Sequence, residues 1–232
     1  MRLEQGRSRT PSAQIVASLA RALQLDRTET DLIHQAAGLA APRTGTVSHH
    51  VPPGVQRMIV RMADLPLGVF AADWTLLHST PLWQALFGAP STRSDPNQNL
   101  IVQTFIDDSI ADIATPHGGP DRFERALVAD LRRTAAVLDG DMGLRSFVAR
   151  VRAQSPRFAA LWDEGRAAAH QSMVKTVHNP LVGDITLDCD VLTVPDSDVK
   201  LVVYSTTESG ADAEKLDFRR VRAVHATFPT EA

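Results

Sequence analysis

The sequence predicts an α+β protein: a small all-helical head, then a larger domain in which an antiparallel sheet is covered by helices. Three observations carry this reading. Residues 1–38 show only helix stops, helix starts and 3.6-residue periods. Residues 39–53 have no period and are rich in small and turn residues, the mark of a linker. From Val174 onward the character changes to β-rich, in three runs, 174–178, 183–194 and 199–206, with short turns between them. Such runs form an antiparallel meander, and a sheet with one apolar face must be covered.

In the head, Leu3-Glu4-Gln5-Gly6 has the form of a helix ending, with Gly6 just past the last turn. Arg7-Ser8-Arg9 is a short connector, and Thr10-Pro11 is a start signal, a capping hydroxyl followed by proline. Ile15, Val16, Leu19, Ala20 and Leu23 then fall on one helical face. Asp26-Arg27-Thr28-Glu29 resembles a capping box, Leu32, Ile33 and Ala36 continue an apolar face, and Gly38 closes the helix.

The larger domain, residues 54–218, opens with a helix carrying Val55, Met58, Ile59 and Met62 and ended by Pro66. Leu67 to Ala72 reads as a buried strand, Asp73-Trp74 as a turn, and Thr75 to His78 as a returning strand. Helical spacing resumes at Leu82, Leu86 and Phe87, and again at Phe123, Leu127, Leu131 and Leu138, and at Leu144, Phe147, Val148 and Val151. Between them Leu100, Ile101, Phe105, Ile106 and Ile110 are the expected buried points. Ser155-Pro156 starts another helix with Phe158, Leu161 and Trp162 inward. In Gly183 to Val194, Ile185, Leu187, Cys189 and Val191 alternate with Thr186, Asp188 and Asp190, giving one dry and one wet face. With the early strand pair, the expectation is roughly five strands with helices on one side. A short helix near Ala213 to Leu216 and a polar tail over 219–232 finish the chain.

Composition narrows the function. The 232 residues carry 44% hydrophobic side chains, enough for a core, and a net charge of −3. That sum hides an asymmetry: residues 1–25 hold four arginines and one acid, leaving 20 basic against 26 acidic residues elsewhere. A basic head on an acidic body fits nucleic-acid contact at one end, although four arginines alone read as an ordinary solvated helix terminus. One cysteine, Cys189, excludes intramolecular disulfides and cysteine-cluster metal sites. No apolar run is long enough for a membrane span and the start lacks a signal-peptide core, so the expected setting is cytoplasmic.

The residues also carry a family pattern. Arg2-Leu3-Glu4-Gln5-Gly6-Arg7, Thr10-Pro11-Ser12 and Leu19-Ala20-Arg21-Ala22-Leu23 resemble bacterial helix-turn-helix regulators of the Xre, or Cro/repressor-like, class. Asp73-Trp74-Thr75-Leu76-Leu77, Asn99-Leu100, Ser155-Pro156-Arg157-Phe158, Pro180-Leu181-Val182-Gly183-Asp184 and Leu201-Val202-Val203-Tyr204 resemble the MmyB-like ligand-binding domain that follows such heads. The resemblance implies a PAS-like sensor fold, a fatty-acid-like or other apolar ligand, a homodimer, and DNA as partner. It departs at His78-Ser79, Asn179 and Gly165, where the family usually carries tryptophan-asparagine, histidine and histidine. The family's head has about five helices. Here the first two and most of the third, the base-reading one, are missing from a truncated head, and the true start is expected upstream of Met1. DNA reading is therefore expected to be impaired, with phosphate contacts retained through Arg2, Gln5, Arg7, Arg9 and Ser12.

The expected ligand pocket is lined by Trp74, Trp83, Phe87, Phe105, Phe158, Trp162 and Tyr204, with Arg157 or Arg166 near its mouth to meet a carboxylate. No residue is expected to be catalytic, no cofactor or metal is expected, and His178 is expected to make a backbone hydrogen bond. Asp188 and Asp190 share a strand face and could do acid–base work, but a solvated face explains them as well. The leading reading is a bacterial DNA-binding transcriptional regulator with a small-molecule sensor domain. A stand-alone apolar-ligand-binding protein with a vestigial head, or an enzyme, are the alternatives.

Overall fold

The computed structural model describes residues 11, 13–23, 29, 32–33, 36–37, 45–88, 98–194, 197–207 and 209–227. The chain divides into two compact units, 1–44 and 45–232. In the first, helix α1 spans Ala13–Ala22. Of its expected stripe Val16 is buried, while Ile15 and Leu23 stand 43% and 62% exposed. The buried seam is narrower than the period suggests. Arg2, Gln5, Arg7, Arg9 and Ser12 lie outside the described residues.

The second unit is built on one six-stranded sheet, every neighbouring pair antiparallel, in the order β2-β1-β6-β5-β4-β3. Its strands are β1 (Leu67–Phe70), β2 (Leu76–Ser79), β3 (Ala114–Pro116), β4 (Met173–Asn179), β5 (Gly183–Thr193) and β6 (Lys200–Ser205). The expected meander is β4-β5-β6, and the early pair joins it through β1 against β6. The sixth strand, β3, was not expected. Three residues ending in proline have no alternation to read, and proline is tolerated there because the strand is an edge.

Helices cover both faces, which corrects the one-sided expectation. On the outer face α2 (Pro53–Arg61) lays Val55 and Ile59 on Leu67, Val69, Val199 and Leu201, a small separate core. On the inner face sit α3 (Pro81–Phe87), α4 (Leu100–Phe105), α5 (Pro120–Val137), α6 (Met142–Gln154) and α7 (Pro156–Asp163). Phe123, Leu127 and Leu131 of α5, Val148 and Val151 of α6, and Phe158 and Leu161 of α7 meet Val177, Ile185, Leu187 and Cys189 there. The last helix, α8, runs Ala211–Thr227, longer than the short helix expected near Ala213 to Leu216 and into the segment read as tail. Leu216 is its buried anchor, and i,i+3 pairs such as Arg220–Asp217 at 2.6 Å lie along it, charge chemistry that an apolar period does not report.

Local chemistry sets the helix starts. Ser155 ends α6, and its hydroxyl accepts the Phe158 N–H at 3.1 Å to open α7, with Pro156 at the first position. Asp141 accepts the Leu144 N–H at 3.0 Å and also the Val47 N–H at 2.7 Å, so part of the segment read as linker is tied to the domain. Buried Asn99 accepts from Ile101 and Val102 and donates to Asp73 O and Thr75 Oγ1, both at 2.9 Å. That one side chain holds the β1–β2 turn against α4. Among the described residues no helix is long and apolar enough to cross a membrane.

Candidate ligand-binding cavity

Strand parity decides what faces the helices. Along β4 the inward positions are Met173, Lys175, Val177 and Asn179; along β6 they are Lys200, Val202 and Tyr204. Between this face and α3, α4 and α5 lies a cavity of about 240 Å³. Its walls include Trp74 from the β1–β2 turn, Trp83 and Phe87 from α3, Phe123 from α5, and Tyr204 from β6. Trp83, Phe87 and Tyr204 form a mutual cluster, with ring centroids 4.5, 4.9 and 5.5 Å apart. Gly68 lets this cluster reach the sheet: a Cβ there would stand 2.9 Å from both Phe70 and Trp83.

Of the seven aromatics expected in the pocket, the structure brings Trp74, Trp83, Phe87 and Tyr204 to the cavity. Phe105, Phe158 and Trp162 are not on its walls. They stack on one another, Phe105–Phe158 at 5.2 Å and Phe158–Trp162 at 5.6 Å, as ordinary helix core. Helical spacing marks all three as inward, and inward positions far from the cavity look the same in a sequence.

Trp74 is held by an unusual arrangement. Its φ is 67°, in the left-handed region that side chains other than glycine seldom adopt. The indole N–H donates to Asp130 Oδ2 at 3.0 Å, and the same oxygen accepts from Lys200 Nζ at 2.9 Å. Arg133 donates to Asp130 Oδ1 at 3.0 Å. Lys200 also donates to Ala72 O at 2.7 Å and lies 4.6 Å from the Trp74 ring centroid. Burial alone would raise the Asp130 carboxyl, but Lys200 and then Arg133 hold it below its ordinary value. The result is a charged clasp joining β6, α5 and the β1–β2 turn behind the cavity wall.

The polar lining was not found from the sequence. Lys175 Nζ is 3.2 Å from the Tyr204 hydroxyl and 4.2 Å from the Phe123 ring centroid. His170 stands edge-on to Trp74 at 5.1 Å; burial, then Lys175, push its imidazole down to about 4, so it is neutral. Its Nδ1 is buried without a hydrogen-bond partner, as is Gln98 Nε2 on the same cavity. The available signal was register, because Lys175 occupies the apolar phase of its strand between Met173 and Val177.

Other expected sites fall elsewhere. Arg157 pairs with Glu124 at 2.7 Å and with Asp121, and Arg166 with Glu164 at 3.6 Å, on the surface and off the cavity walls. Arg157 is held by two acids of α5, and Arg166, past the end of α7, by an acid two residues back, so neither waits at the mouth. Asp188 and Asp190 point to the outer face, paired across from Ser205 and Val203. His178 does not make the expected backbone bond through its ring. Its Nε2 lies 2.8 Å from Thr115 Oγ1 and its Nδ1 2.8 Å from Asp184 Oδ1, because the unforeseen strand β3 brings Thr115 alongside. This hydroxyl–imidazole–carboxylate row lies on the outer face, away from the cavity. Asn179, where the resemblance expects histidine, donates to Ala85 O at 3.1 Å and accepts the Leu181 N–H at 3.1 Å, shaping the β4–β5 turn.

A concave, mostly apolar cavity with a few convergent polar groups is the usual form of a small-molecule site. No curated protein is detectably similar to the chain. Residues 51–218 match the family described as the MmyB-like transcription regulator ligand binding domain. With most of its length matched and the cavity inside the matched region, the chain belongs to this family of transcription-regulator ligand-binding domains.

Proposed function

We propose that this protein is a DNA-binding transcriptional regulator in which the cavity senses an apolar, fatty-acid-like molecule. The observation that carries the reading is the cavity of about 240 Å³ on the inner sheet face, apolar over most of its wall and polar chiefly at Lys175, Tyr204, His170, Gln98 and Gln103. The strand order β2-β1-β6-β5-β4 supports the PAS-like reading of the domain, with β3 as an added edge. Residues 1–38 belong to a helix-turn-helix head, and the protein acts as a dimer in the cytoplasm. Occupancy would bias the protein between two states that differ in DNA affinity, which requires the ligand to bind them unequally.

The test uses the full chain. Decanoate is expected to change the fluorescence of Trp74 and Trp83, and the cavity-filling variant Val202→Phe is expected to abolish the response. The chain is also expected to retain DNA through phosphate contacts, in a salt-dependent manner that decanoate alters. A wild-type response identical to that of Val202→Phe refutes the cavity as the site. Decanoate binding with no DNA retention refutes the regulator reading and favours a stand-alone ligand-binding protein.

A further inference from the structure

Lysine is scarce in this chain. Of 24 basic residues only Lys175, Lys200 and Lys215 are lysines, and the rest are arginines. Two of the three are buried on the inner face of the sheet, at 5% and 3% exposure. The two groups differ in one respect that matters inside a protein: an amine can give up its proton and become a nucleophile, and a guanidinium cannot.

The two buried lysines stand in different situations. Lys200 has a carboxylate, Asp130, at 2.9 Å, and its role is the clasp behind Trp74. Lys175 has no acidic partner among the described residues. Its neighbours are the Tyr204 hydroxyl, the Phe123 ring and the Cys189 thiol. An isolated ammonium in such surroundings sheds its proton rather than stay charged. Burial pushes the Lys175 amine below its ordinary range, against a smaller opposing effect of Cys189. Burial likewise pushes the Tyr204 phenol well up, so it remains a proton donor. Lys175, Tyr204, Cys189 and His170 all line the one cavity, and the buried His170 Nδ1 there has no partner. A desolvated amine beside a phenol, at the end of an apolar chamber, is the arrangement that activates lysine towards carbonyl groups.

We propose that Lys175 captures aldehydes with apolar tails as a reversible imine, the tail lying among Trp83, Phe87 and Leu100. The proposal rests on the reading of the cavity as the ligand site. The Nζ lone pair adds to the carbonyl carbon while Tyr204 gives its proton to the carbonyl oxygen and regains one from the nitrogen, leaving a neutral carbinolamine. Tyr204 then protonates the hydroxyl, which departs as water as the nitrogen lone pair forms the C=N bond, and the nitrogen returns its proton to Tyr204. One water leaves for each aldehyde bound, and neither oxidant nor reductant is needed. His170 Nδ1 is an acceptor on the same wall for the transient hydroxyl. The bond makes occupancy depend on the head group and not only on the apolar tail.

The experiment treats the full chain with octanal and sodium cyanoborohydride, which fixes an imine as a secondary amine, and locates the adduct by peptide mass mapping. The expected result is one octyl group, on Lys175, at a yield more than about tenfold that at half-buried Lys215 or the amino terminus. Lys175→Arg and Lys175→Met abolish it, and Tyr204→Phe slows it about tenfold or more. Octanol, which has the same tail but no carbonyl, is titrated in parallel by tryptophan fluorescence on wild type and Lys175→Met. An octanol response in both, with labelling spread evenly over the lysines or absent, overturns the imine and leaves the cavity reading standing. No octanol response in either overturns the cavity reading and the imine with it. Because the site ratio is measured on the wild-type chain, the result does not depend on any variant folding.

Discussion

The clasp behind Trp74 makes a quantitative demand on Asp130→Ala. The carboxylate is 1% exposed and Lys200 is 3% exposed, with 2.9 Å between them. At an effective dielectric of about 20, unit charges at that separation attract by about 5–6 kcal/mol before desolvation is subtracted. Removing the acid leaves the Lys200 ammonium with the Ala72 carbonyl and the Trp74 ring but no counter-charge in the clasp, and the Trp74 indole N–H with no acceptor from it. Arg133 is 40% exposed and can turn to water. Breaking one half of a buried pair costs about 3–5 kcal/mol, and the orphaned indole N–H falls within that total because the three groups act as a unit. Urea unfolding of the full chain, followed by tryptophan fluorescence and circular dichroism, should show this loss near pH 7. The double variant Asp130→Leu with Lys200→Met should recover most of it, since an apolar pair of similar volume needs no counter-charge. The pH dependence has a fixed sign. The folded carboxyl titrates below the ordinary 3.8, so its contribution is complete above that value and fades as pH falls through the lower folded value. The gap between wild type and Asp130→Ala should therefore narrow only in strong acid. A loss under about 1 kcal/mol for Asp130→Ala, or a double variant as damaged as the single one, would refute the argument that the pair is charged and interdependent.

Two further outcomes follow from the cavity walls. His170 titrates at about 4 in the folded chain and at the ordinary 6.5 unfolded. Stability is thus full above pH 6.5 and falls as pH drops towards 4, by up to about 3 kcal/mol. His170→Leu should remove that part of the slope, and urea midpoints at pH 7 and 4.5 that fall equally in both proteins would contradict it. Gly68→Ala should cost about 1–3 kcal/mol and shift the tryptophan emission, because its methyl carbon meets Phe70 and Trp83 at 2.9 Å. An unchanged urea midpoint would show that the rings have room to move.

Much of the domain was readable because it is local chemistry. The alternation of Ile185, Leu187, Cys189 and Val191 is a physical consequence of the pleat, and these four side chains do face inward along β5. Ser155 followed by Pro156 states a helix start because hydroxyl and ring satisfy the open N–H groups without outside help. The strand β3 could not be read, since an edge of three residues forms only when β4 is already in place to pair with it. The length of α8 escaped for a similar reason. One buried leucine and a set of charge pairs carry no apolar period.

For the candidate site the division is sharper. Helical spacing marked Phe158 and Trp162 as inward, and the register of β4 puts Lys175 in the phase of its buried residues. Neither could say where the interior is filled and where it is hollow. Trp83 and Phe158 are both expected in the pocket from the sequence, yet one lines the cavity and the other is packed solid between Phe105 and Trp162. Only the crossing of helices over the sheet leaves the gap. The same assembly gives Lys200 a carboxylate from α5, fifty-odd residues beyond the turn that holds Trp74, and leaves Lys175 beside a phenol with no acidic partner among the described residues. Charge in a low-dielectric interior is decided by neighbours distant in the chain, so the chemistry of the two lysines belongs to the tertiary structure, while their presence inside was written in the register of their strands.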